Sequence, residues 1–358
     1  MKSLKEAQLY TSLGNKQVDC FLCSHGCRIQ EGKFGFCGVR QNIRGVLYTH
    51  NYGKLVAANV DPVEKKPLYH FFPGSSTFSI ASAGCNFRCG FCQNWEISQL
   101  GFAYRKANHC SLTYGFGNRR PNHGSPTSGF GNRRPNHGSP TSDFVNRHPG
   151  EDFSADKVVQ SAQQNNCRSI AYTYTEPTIY FEFALETAKL AKAAGLRNIF
   201  VTNGYMSRQA ISLLTPYLDA ANIDLKFFKD SSYQKICSAH LTPVLDSIRL
   251  LKDAGVWIEI TTLVIPGEND TPDELSGIAK FIAGVNKDIP WHISRFHAQY
   301  KFKDYPDTPE VSLKIAYDLG KEAGLQHIYA GNVNGWGQDT FCSGCSEPII
   351  KREGFKVK

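Results

Sequence analysis

From about residue 76 onward, short apolar runs rich in β-branched residues alternate with longer stretches in which apolar residues recur at helical spacing. The short runs predict strands, and the longer stretches between the later runs predict helices. The predicted strands are 77–82, 169–174, 198–201, 220–225, 257–265, 291–296 and 327–330. The predicted helices are 178–194, 231–253, 272–284 and 309–323.

Strands that alternate with helices pair in parallel through right-handed crossovers, which predicts an α/β fold. Six or so such units occupy about 210 residues once the stretch at 111–150 is left out, fewer than the roughly 250 of a closed eight-fold barrel. We therefore predict a partial, open (β/α)6-type barrel over residues 76–330, with a doubly wound sheet as the alternative. A cysteine-rich segment at 1–50 and a bridging segment at 51–75 precede the barrel, and a C-x2-C tail at 331–358 follows it.

One stretch interrupts this alternation. Residues 115–128 read GFGNRRPNHGSPTS, and residues 129–142 repeat those letters without change. The copies are rich in Gly, Pro, Asn, Ser and Arg, and they lack the apolar residues that a packed core requires. We interpret residues 111–150 as a disordered repeat insertion, and a basic tether for RNA or for an acidic partner is the alternative.

The formal net charge of +8 taken alone would suggest an anionic partner. The insertion holds five arginines and a single aspartate, a net +4, so the rest of the chain is nearly balanced. We therefore do not expect nucleic acid as a partner. The first residues lack the apolar core of a secretory signal, and no uncharged apolar stretch of about 18 residues predicts a membrane span. We expect a cytoplasmic protein that does not bind membranes.

Twelve cysteines are the strongest compositional signal. In a reducing cytoplasm, clustered cysteines bind metal or carry out redox chemistry more often than they form disulfides. Nine of the twelve fall in three groups. The remaining three, Cys110, Cys167 and Cys237, stand alone in the sequence and are assigned no role.

Cys85, Cys89 and Cys92 have the spacing C-x3-C-x2-C directly after the first predicted strand. Three thiolates from one short loop can bind three irons of a [4Fe–4S] cubane, which leaves the fourth iron open to a substrate or cofactor. A closed zinc site would need a fourth ligand, and residues 93–108 contain neither His nor Cys. The spacing therefore favours a cluster with one open iron.

Four further cysteines lie within eighteen residues near the start of the chain, and a C-x2-C pair lies near its end. These are Cys20, Cys23, Cys27, Cys37, Cys342 and Cys345. Six thiolates exceed one tetrahedral site, so either the first four form a closed zinc or second Fe–S site, or the C-terminal pair joins some of them. A structural role and an auxiliary cluster for electron transfer or substrate binding are both open.

The C-x3-C-x2-C spacing, with an aromatic residue just before the last cysteine, resembles the signature of radical S-adenosylmethionine (SAM) enzymes. Other matching motifs are CQNW at 92–95, AYTYTEP at 171–177, VTNG at 201–204, IDLK at 223–226 and VIPG at 264–267. Together with the flanking cysteines, these motifs are similar to the radical SAM enzyme of the AmmeMemoRadiSam system. That family is related to the pyruvate formate-lyase activating enzymes, and the resemblance covers nearly the whole chain outside the insertion.

This resemblance implies a [4Fe–4S] cluster and SAM as cofactors. It implies that Glu176 binds the amino group of SAM, and the alternative is a solvated acid at a helix start. Asp224 and Lys226, two apart on one strand, face the same side and are expected to meet SAM or to form a structural ion pair. Near Glu259 the related activases carry a basic residue that this sequence lacks, so the resemblance does not account for part of the contact with the SAM carboxylate. The other residues that the resemblance implies in SAM binding are Asn94, Asn203 and His297.

The implied reaction is cleavage of SAM to methionine and a 5′-deoxyadenosyl radical, which abstracts hydrogen from a protein or peptide substrate. The implied electron source is a low-potential donor of the flavodoxin or ferredoxin type. A glycyl-radical enzyme activase is the second candidate. From other classes, a non-catalytic Fe–S electron carrier would need no SAM pocket, and a zinc-ribbon nucleic-acid binder would lose affinity steeply with salt.

Overall fold

The computed structural model describes residues 4–99, 150–333 and 335–358. The insertion predicted at 111–150 lies outside the described residues except for Gly150, and Cys110 lies outside them as well. Strands and helices are numbered below in chain order within the described residues.

Eight strands form one central sheet. They are β8 (Ala57–Pro62), β9 (Ser76–Ala81), β11 (Ser169–Tyr172), β12 (Arg197–Thr202), β13 (Ala220–Asp224), β14 (Trp257–Val264), β15 (Trp291–Arg295) and β16 (Ile328–Gly331). Strands β9 to β16 of this sheet pair in parallel, and β8 pairs antiparallel with β9. The spatial order follows the chain without reversal, so the doubly wound alternative is wrong. Strands β8 and β16 form the two edges, and the predicted open α/β sheet is confirmed.

Helices connect the parallel strands. They are α1 (Trp95–Ser98), α2 (Ala155–Gln164), α3 (Phe181–Ala193), α4 (Arg208–Leu214), α5 (Asp230–Ser232), α6 (Leu241–Asp253), α7 (Pro272–Val285) and α8 (Glu310–Glu322). The sequence pattern did not predict α2 or α4, and each begins after a serine N-cap, Ser154 and Ser207. Among the described residues, no helix has the length and apolar character needed to cross a membrane.

The helix predicted at 231–253 is interrupted. After α5 the chain forms a π-helical turn, Tyr233–Cys237, and Ser238 takes a left-handed conformation with a φ of 55° before α6 begins. Pro243 explains the break, because proline is tolerated in the first turn of a helix and not in its interior. The π-helical turn faces the cysteine loop, since the carbonyl of Cys237 accepts a hydrogen bond from the backbone N–H of Arg88 at 2.8 Å.

The bridging segment at 51–75 contributes to the central sheet. Its residues AANVDP form β8, although the pattern lacks alternation and ends in proline, which is why no strand was predicted. A 3-10 turn at Val63–Lys65 follows, and the chain then packs near the amino-terminal half of β14. There the backbone N–H groups of Tyr69 and His70 donate to the carboxylate of Glu259 at 3.0 and 2.9 Å.

The cysteine-rich segment consists of two small antiparallel sheets, β1-β6-β5 and β2-β3-β4. Their strands are β1 (Lys5–Glu6), β2 (Tyr10–Ser12), β3 (Val18–Cys20), β4 (Cys27–Ile29), β5 (Arg40–Ile43) and β6 (Val46–Thr49). A buried ion pair between Arg40 of β5 and Glu182 of α3 joins the segment to the barrel. Val39 of the segment and Phe183 of the barrel belong to the same buried apolar cluster, so one core serves both parts.

Short strand pairs complete the described chain. They are β7 (Lys54–Leu55) with β10 (Glu151–Asp152), β17 (Thr340–Phe341) with β18 (Pro348–Ile350), and β19 (Arg352–Glu353) with β20 (Lys356–Val357). The guanidinium of Arg352 is buried and donates to the carbonyl of Tyr69 at 2.7 Å. The C-terminal tail is thereby attached to the segment that follows β8.

Candidate active site

The loop that holds Cys85, Cys89 and Cys92 follows the carboxyl end of β9. Gly84 begins this loop with a φ of +105°, a conformation that residues with a side chain rarely adopt. A Cβ atom at this position would also lie only 3.0 Å from Val39. The glycine therefore allows the chain to turn out of the sheet directly before the first cysteine.

The sulfurs of this loop are buried among polar partners. The backbone N–H of Phe87 donates to Sγ of Cys85 at 3.3 Å, and the hydroxyl of Ser98 lies 3.2 Å from Sγ of Cys92. Burial is the main cause that raises the pKa of both thiols above its usual value. Thiolates in this loop therefore need a bound cation to compensate their lost hydration.

The donor set of the loop suits a cluster. Tetrahedral zinc needs a fourth ligand, and the described part of this loop offers three cysteines and no histidine. In a cubane each of three thiolates binds a different iron. The three sulfurs therefore fit a cubane with one open iron.

Glu176 lies just beyond β11 and is only 2% exposed, so the alternative of a solvated acid is wrong. Its Oε1 accepts hydrogen bonds from the N–H and hydroxyl of Thr178 at 3.0 and 2.5 Å and from the hydroxyl of Thr202 at 2.8 Å. Its Oε2 accepts from the N–H of Asn203 at 2.7 Å. Burial raises the pKa of Glu176 in spite of these bonds. With one described donor, Oε2 has the capacity to accept another.

Asn203, at the end of β12, contacts the cysteine loop. Its Nδ2 donates to Oδ1 of Asn86 at 2.7 Å and lies 4.0 Å from Sγ of Cys85. Its Oδ1 accepts from the N–H of Tyr205 at 3.1 Å, which fixes the orientation of the amide. The charge of Glu176 also contributes to the raised pKa of Cys85. The structure thus brings Glu176 and Asn203 together beside the first cysteine.

Asp224 and Lys226 face the same side at the carboxyl end of β13, and Nζ of Lys226 donates to Oδ2 of Asp224 at 2.8 Å. Burial alone lowers the pKa of Lys226, but the charges of Asp224 and of the Cys89 thiolate outweigh it and raise that pKa well above its usual value. The charge of Lys226 also acts on Cys92. The ion pair therefore lies beside the second and third cysteines.

The two remaining residues implied in SAM binding are exposed. His297 follows β15, and its Nδ1 lies 2.8 Å from a carboxylate oxygen of Asp307. The nearby side chain of Gln299 donates to the carbonyl of the residue after Cys92 at 3.3 Å. Asn94 contacts the same cysteine through its backbone N–H, which donates to the sulfur. Of this pair, only Asn94 has a described contact with the triad.

Glu259 lies in the amino-terminal half of β14 and is fully buried. Its carboxylate accepts hydrogen bonds from Nε2 of His292 at 2.6 Å and from Nε1 of Trp257 at 3.0 Å. The cysteine loop follows the opposite, carboxyl end of the strands. Glu259 itself therefore lies away from the edge where the cysteines lie.

The four N-terminal cysteines form one group. Cys20 and Cys27 are register partners across β3 and β4. The charges of Cys20, Cys27 and Cys37 all act on Cys23, whose pKa burial raises above its usual value. This arrangement favours the partition in which the four share one site.

The C-terminal pair forms a turn of its own. Backbone N–H groups of Cys345 and Gly344 donate to the sulfur of Cys342 and lower its pKa. Cys345 is exposed and Cys342 is half-buried. A metal shared between this pair and the N-terminal group stays a prediction.

Comparison with known proteins decides the family. The model of the Radical SAM superfamily matches residues 79–282, which is more than half of the chain. The chain belongs to the radical SAM superfamily. An uncharacterized protein of Methanocaldococcus jannaschii is 38% identical over 360 residues, which cover 99% of this chain and 93% of that protein. A pyruvate formate-lyase-activating enzyme of Listeria monocytogenes is 25% identical over 137 residues, which cover 36% of this chain and 55% of that enzyme.

Solved structures show more distant similarity. A domain of the pyruvate formate-lyase-activating enzyme of Bacteroides vulgatus matches with 18% identity and a TM-score of 0.42, over 46% of this chain and 99% of that chain. SuiB of Streptococcus suis, solved bound to SAM, matches with 11% identity and a TM-score of 0.47, over 75% of this chain and 53% of that chain.

Membership of the radical SAM superfamily implies an enzyme that uses a [4Fe–4S] cluster and SAM. The donor set fits the cluster, since the loop presents one buried and two half-buried cysteines, Cys89 with Cys85 and Cys92, and no described fourth cysteine or histidine. The prediction of a radical SAM enzyme is therefore confirmed at the level of the family.

Three residues of this radical SAM site were not singled out from the sequence. Thr202 donates to Glu176, and Asn86 accepts from Asn203. Both lie inside motifs that were recognised, so their position was an available signal. Cys237 is fully buried with its sulfur 3.5 Å from that of Cys89, and no sequence signal relates two residues 148 positions apart.

Replacing Cys237 with alanine is expected to lower the midpoint potential of the radical SAM cluster. When Cys89 binds iron as a thiolate, the proton between the two sulfurs belongs to Cys237, which then donates S–H···S. Hydrogen bonds to cluster sulfurs raise the reduction potential because they stabilise the added electron. A redox titration followed by electron paramagnetic resonance (EPR) measures the shift.

The matched control is Cys167→Ala, which removes another buried lone cysteine whose described contact is the carbonyl of Asn165. This control is expected to leave the potential unchanged. An unchanged or raised potential in Cys237→Ala would show that no such hydrogen bond reaches the cluster.

Proposed function

We propose that this radical SAM enzyme acts on a protein or peptide substrate in the manner of the activating enzymes, with its cluster on Cys85, Cys89 and Cys92. The observation that carries the proposal is the clustering of Glu176, Asn203 and the Asp224–Lys226 pair around these cysteines. When bound, the cluster and SAM supply one-electron cleavage of SAM to methionine and a 5′-deoxyadenosyl radical, which removes a hydrogen atom from the substrate.

The residues around the cysteines match the charged groups of SAM. Oε2 of Glu176 has capacity for a further donor, which suits the SAM ammonium group. Lys226 is a buried cation and suits the carboxylate, and Asp224 is an acceptor for ribose hydroxyls. Asn94 and His297 are more exposed and are assigned to the adenosyl side of the cofactor. An electron carrier would have no use for this buried polar set.

The substrate class rests on similarity to activating enzymes and on the flanking cysteine groups. We place the chain in the AmmeMemoRadiSam system, with a flavodoxin or ferredoxin as the low-potential electron donor. Activation of a glycyl-radical enzyme is the second candidate, and the Listeria activating enzyme supports it.

The test is anaerobic reconstitution with iron and sulfide, reduction with dithionite, addition of SAM, and quantification of 5′-deoxyadenosine and methionine. Equal amounts of the two products are expected from the native chain. A reducible [4Fe–4S] cluster without either product would favour the electron-carrier alternative instead.

A Glu176→Gln variant is expected to weaken SAM binding about 10-fold or more, because the loss of a charged hydrogen-bond acceptor costs about 1.5–3 kcal/mol. Binding is measured from the change in the EPR signal of the reduced cluster as SAM is added. Glu322→Gln, at the exposed end of α8, is the matched control and should bind SAM as the native chain does.

A further inference from the structure

The sulfurs of the four cysteines in the N-terminal segment are surrounded by hydrogen-bond donors that would stabilise negative charge. Each sulfur accepts a hydrogen bond from a nitrogen. The donors are the backbone N–H of His25 to Cys23, of Phe36 to Cys27 at 3.4 Å and of Val39 to Cys37, and the guanidinium of Arg40 to Cys20 at 3.4 Å. Such N–H···S bonds stabilise bound thiolates and orient them toward a metal.

The same pattern occurs in the triad of the radical SAM site. Backbone N–H groups of Phe87 and Asn94 donate to the sulfurs of Cys85 and Cys92. Two groups of cysteines in this chain therefore present sulfur in the same chemical form. The family assigns a cluster to one of them, and the other contains one more thiol.

The surroundings of the N-terminal cysteines, and not their sulfurs alone, favour a cluster over zinc. A closed zinc site and a cubane can each take four thiolates. Cys20 and Cys27 are register partners across β3 and β4, and Cys23 lies in the connection between these strands. A structural zinc site needs no contact with a second metal centre, whereas an electron-transfer cluster does.

The N-terminal cysteines and the triad are connected by contacts between residues that neighbour them in the sequence. Nε2 of His25 donates to the carbonyl of Asn86 at 2.7 Å, and His25 lies two residues from both Cys23 and Cys27. The ring of His25 also packs against Phe36, with 4.1 Å between centroids.

A second contact joins the same two groups. The guanidinium of Arg88, the residue before Cys89, lies 4.3 Å from the ring centroid of Phe36 and donates to the Phe36 carbonyl. Phe36 is the residue before Cys37. Each contact therefore connects a neighbour of one cysteine group to a neighbour of the other.

We infer that Cys20, Cys23, Cys27 and Cys37 hold a second iron–sulfur cluster, which communicates with the radical SAM cluster across the His25–Asn86 and Phe36–Arg88 contacts. All four corners of this cluster have protein ligands, so it has no open iron for substrate. Its role is one-electron relay: it takes one electron from a donor of the ferredoxin or flavodoxin class and passes one electron to the triad cluster. No bond is made or broken in this step.

Iron counting tests the inference directly. After anaerobic reconstitution, the native chain is expected to hold about eight iron and eight sulfide, and Cys85→Ala/Cys89→Ala/Cys92→Ala is expected to keep about four of each. Zinc is measured in the same samples. A triad variant that contains one zinc, or no metal at all while folded, would overturn the inference.

Two further variants sharpen this result. Cys23→Ser/Cys27→Ser is expected to keep about four iron, and circular dichroism shows whether it folds; if it does not, the triad variant decides alone. Cys342→Ser/Cys345→Ser is expected to keep about eight. Iron loss in this last variant would assign ligands to the C-terminal pair and contradict the four-cysteine site.

Communication between the clusters has its own readout. In the fully reduced native chain, EPR is expected to show magnetic interaction between two paramagnetic clusters. The triad variant and Cys23→Ser/Cys27→Ser should each show one isolated signal. His25→Gln is expected to slow reduction of the triad cluster by a ferredoxin while the iron content is unchanged. His50→Gln is the matched control, because His50 lies in the same segment and contacts Gln41. Equal reduction rates in both variants would contradict the relay.

The second cluster and the proposed reaction can be rejected separately. A native chain with about eight iron but no 5′-deoxyadenosine would support the second cluster and reject the proposed reaction. A native chain with about four iron and normal 5′-deoxyadenosine formation would support the proposed reaction and reject the second cluster.

Discussion

A chain in which Cys85, Cys89 and Cys92 are all alanine is expected to form no 5′-deoxyadenosine above the background of a reaction without protein. The three thiols lie in one loop, and burial is the main cause that raises the thiol pKa of Cys85 and Cys92, so a bound metal is needed to stabilise their thiolates. Removing them removes the ligands of three irons at once. Product is measured chromatographically after dithionite reduction in the presence of SAM.

The appropriate comparison is Cys167→Ala, which removes a buried cysteine just before the amino end of β11 and should keep full activity. If the triad variant formed as much product as Cys167→Ala, the cluster that cleaves SAM would not be bound by this loop. The N-terminal cysteines would then become the first place to search.

Replacing Glu259 with alanine is expected to lower the free energy of unfolding by about 3–5 kcal/mol. The carboxylate is fully buried and accepts four hydrogen bonds. The donors are the N–H groups of Tyr69 and His70, Nε1 of Trp257 and Nε2 of His292. In the variant all four donors lose their acceptor in the interior. Urea denaturation of the metal-free chain at pH 7 measures the difference.

The control for this variant is Glu353→Ala, an exposed residue paired with Lys358, which should leave the free energy of unfolding nearly unchanged because exposed ion pairs contribute little. A loss of similar size in both variants would mean that the bonds to Glu259 contribute little. No change in either would exclude the buried carboxylate as a source of stability.

The loss of unfolding free energy in Glu259→Ala is also expected to depend on pH. Burial by itself raises the pKa of this carboxyl, but the hydrogen bond and charge of His292, with the charge of His70, outweigh burial and hold the pKa below its usual value. A lowered folded-state pKa gives stability that is present above the unfolded value of about 4.3 and is lost as the pH falls through the folded value. The difference between native and variant chains should therefore narrow when denaturation is repeated below about pH 4.

The regular part of the fold was predictable because each parallel strand is a short apolar run between helical stretches. The strand predicted at 220–225 is observed at Ala220–Asp224, and its alternation placed Asp224 and Lys226 on one side. Strand β8 was not predictable in this way. It is held by pairing with β9, and its own residues carry little strand preference.

The cysteine loop was predictable from spacing, whereas its tertiary neighbours were not. Cys237 reaches Cys89 only because a π-helical turn interrupts the helix predicted around it. The contact of His25 with Asn86 joins two loops that are 61 residues apart. Contacts of this kind depend on how the strands, helices and loops pack together, so local sequence patterns do not predict them.

The buried pair of Arg40 and Glu182 constrains how this chain can change over evolutionary time. The two residues lie 142 positions apart, yet each is the charge partner of the other in the core. Loss of one partner leaves an uncompensated buried charge, at a cost of about 3–5 kcal/mol, while exchange of both for apolar residues can be nearly neutral. A substitution at one of these positions is therefore expected to be accompanied by a substitution at the other. A lineage that loses the cysteine-rich segment, and Arg40 with it, must therefore also replace Glu182 in α3.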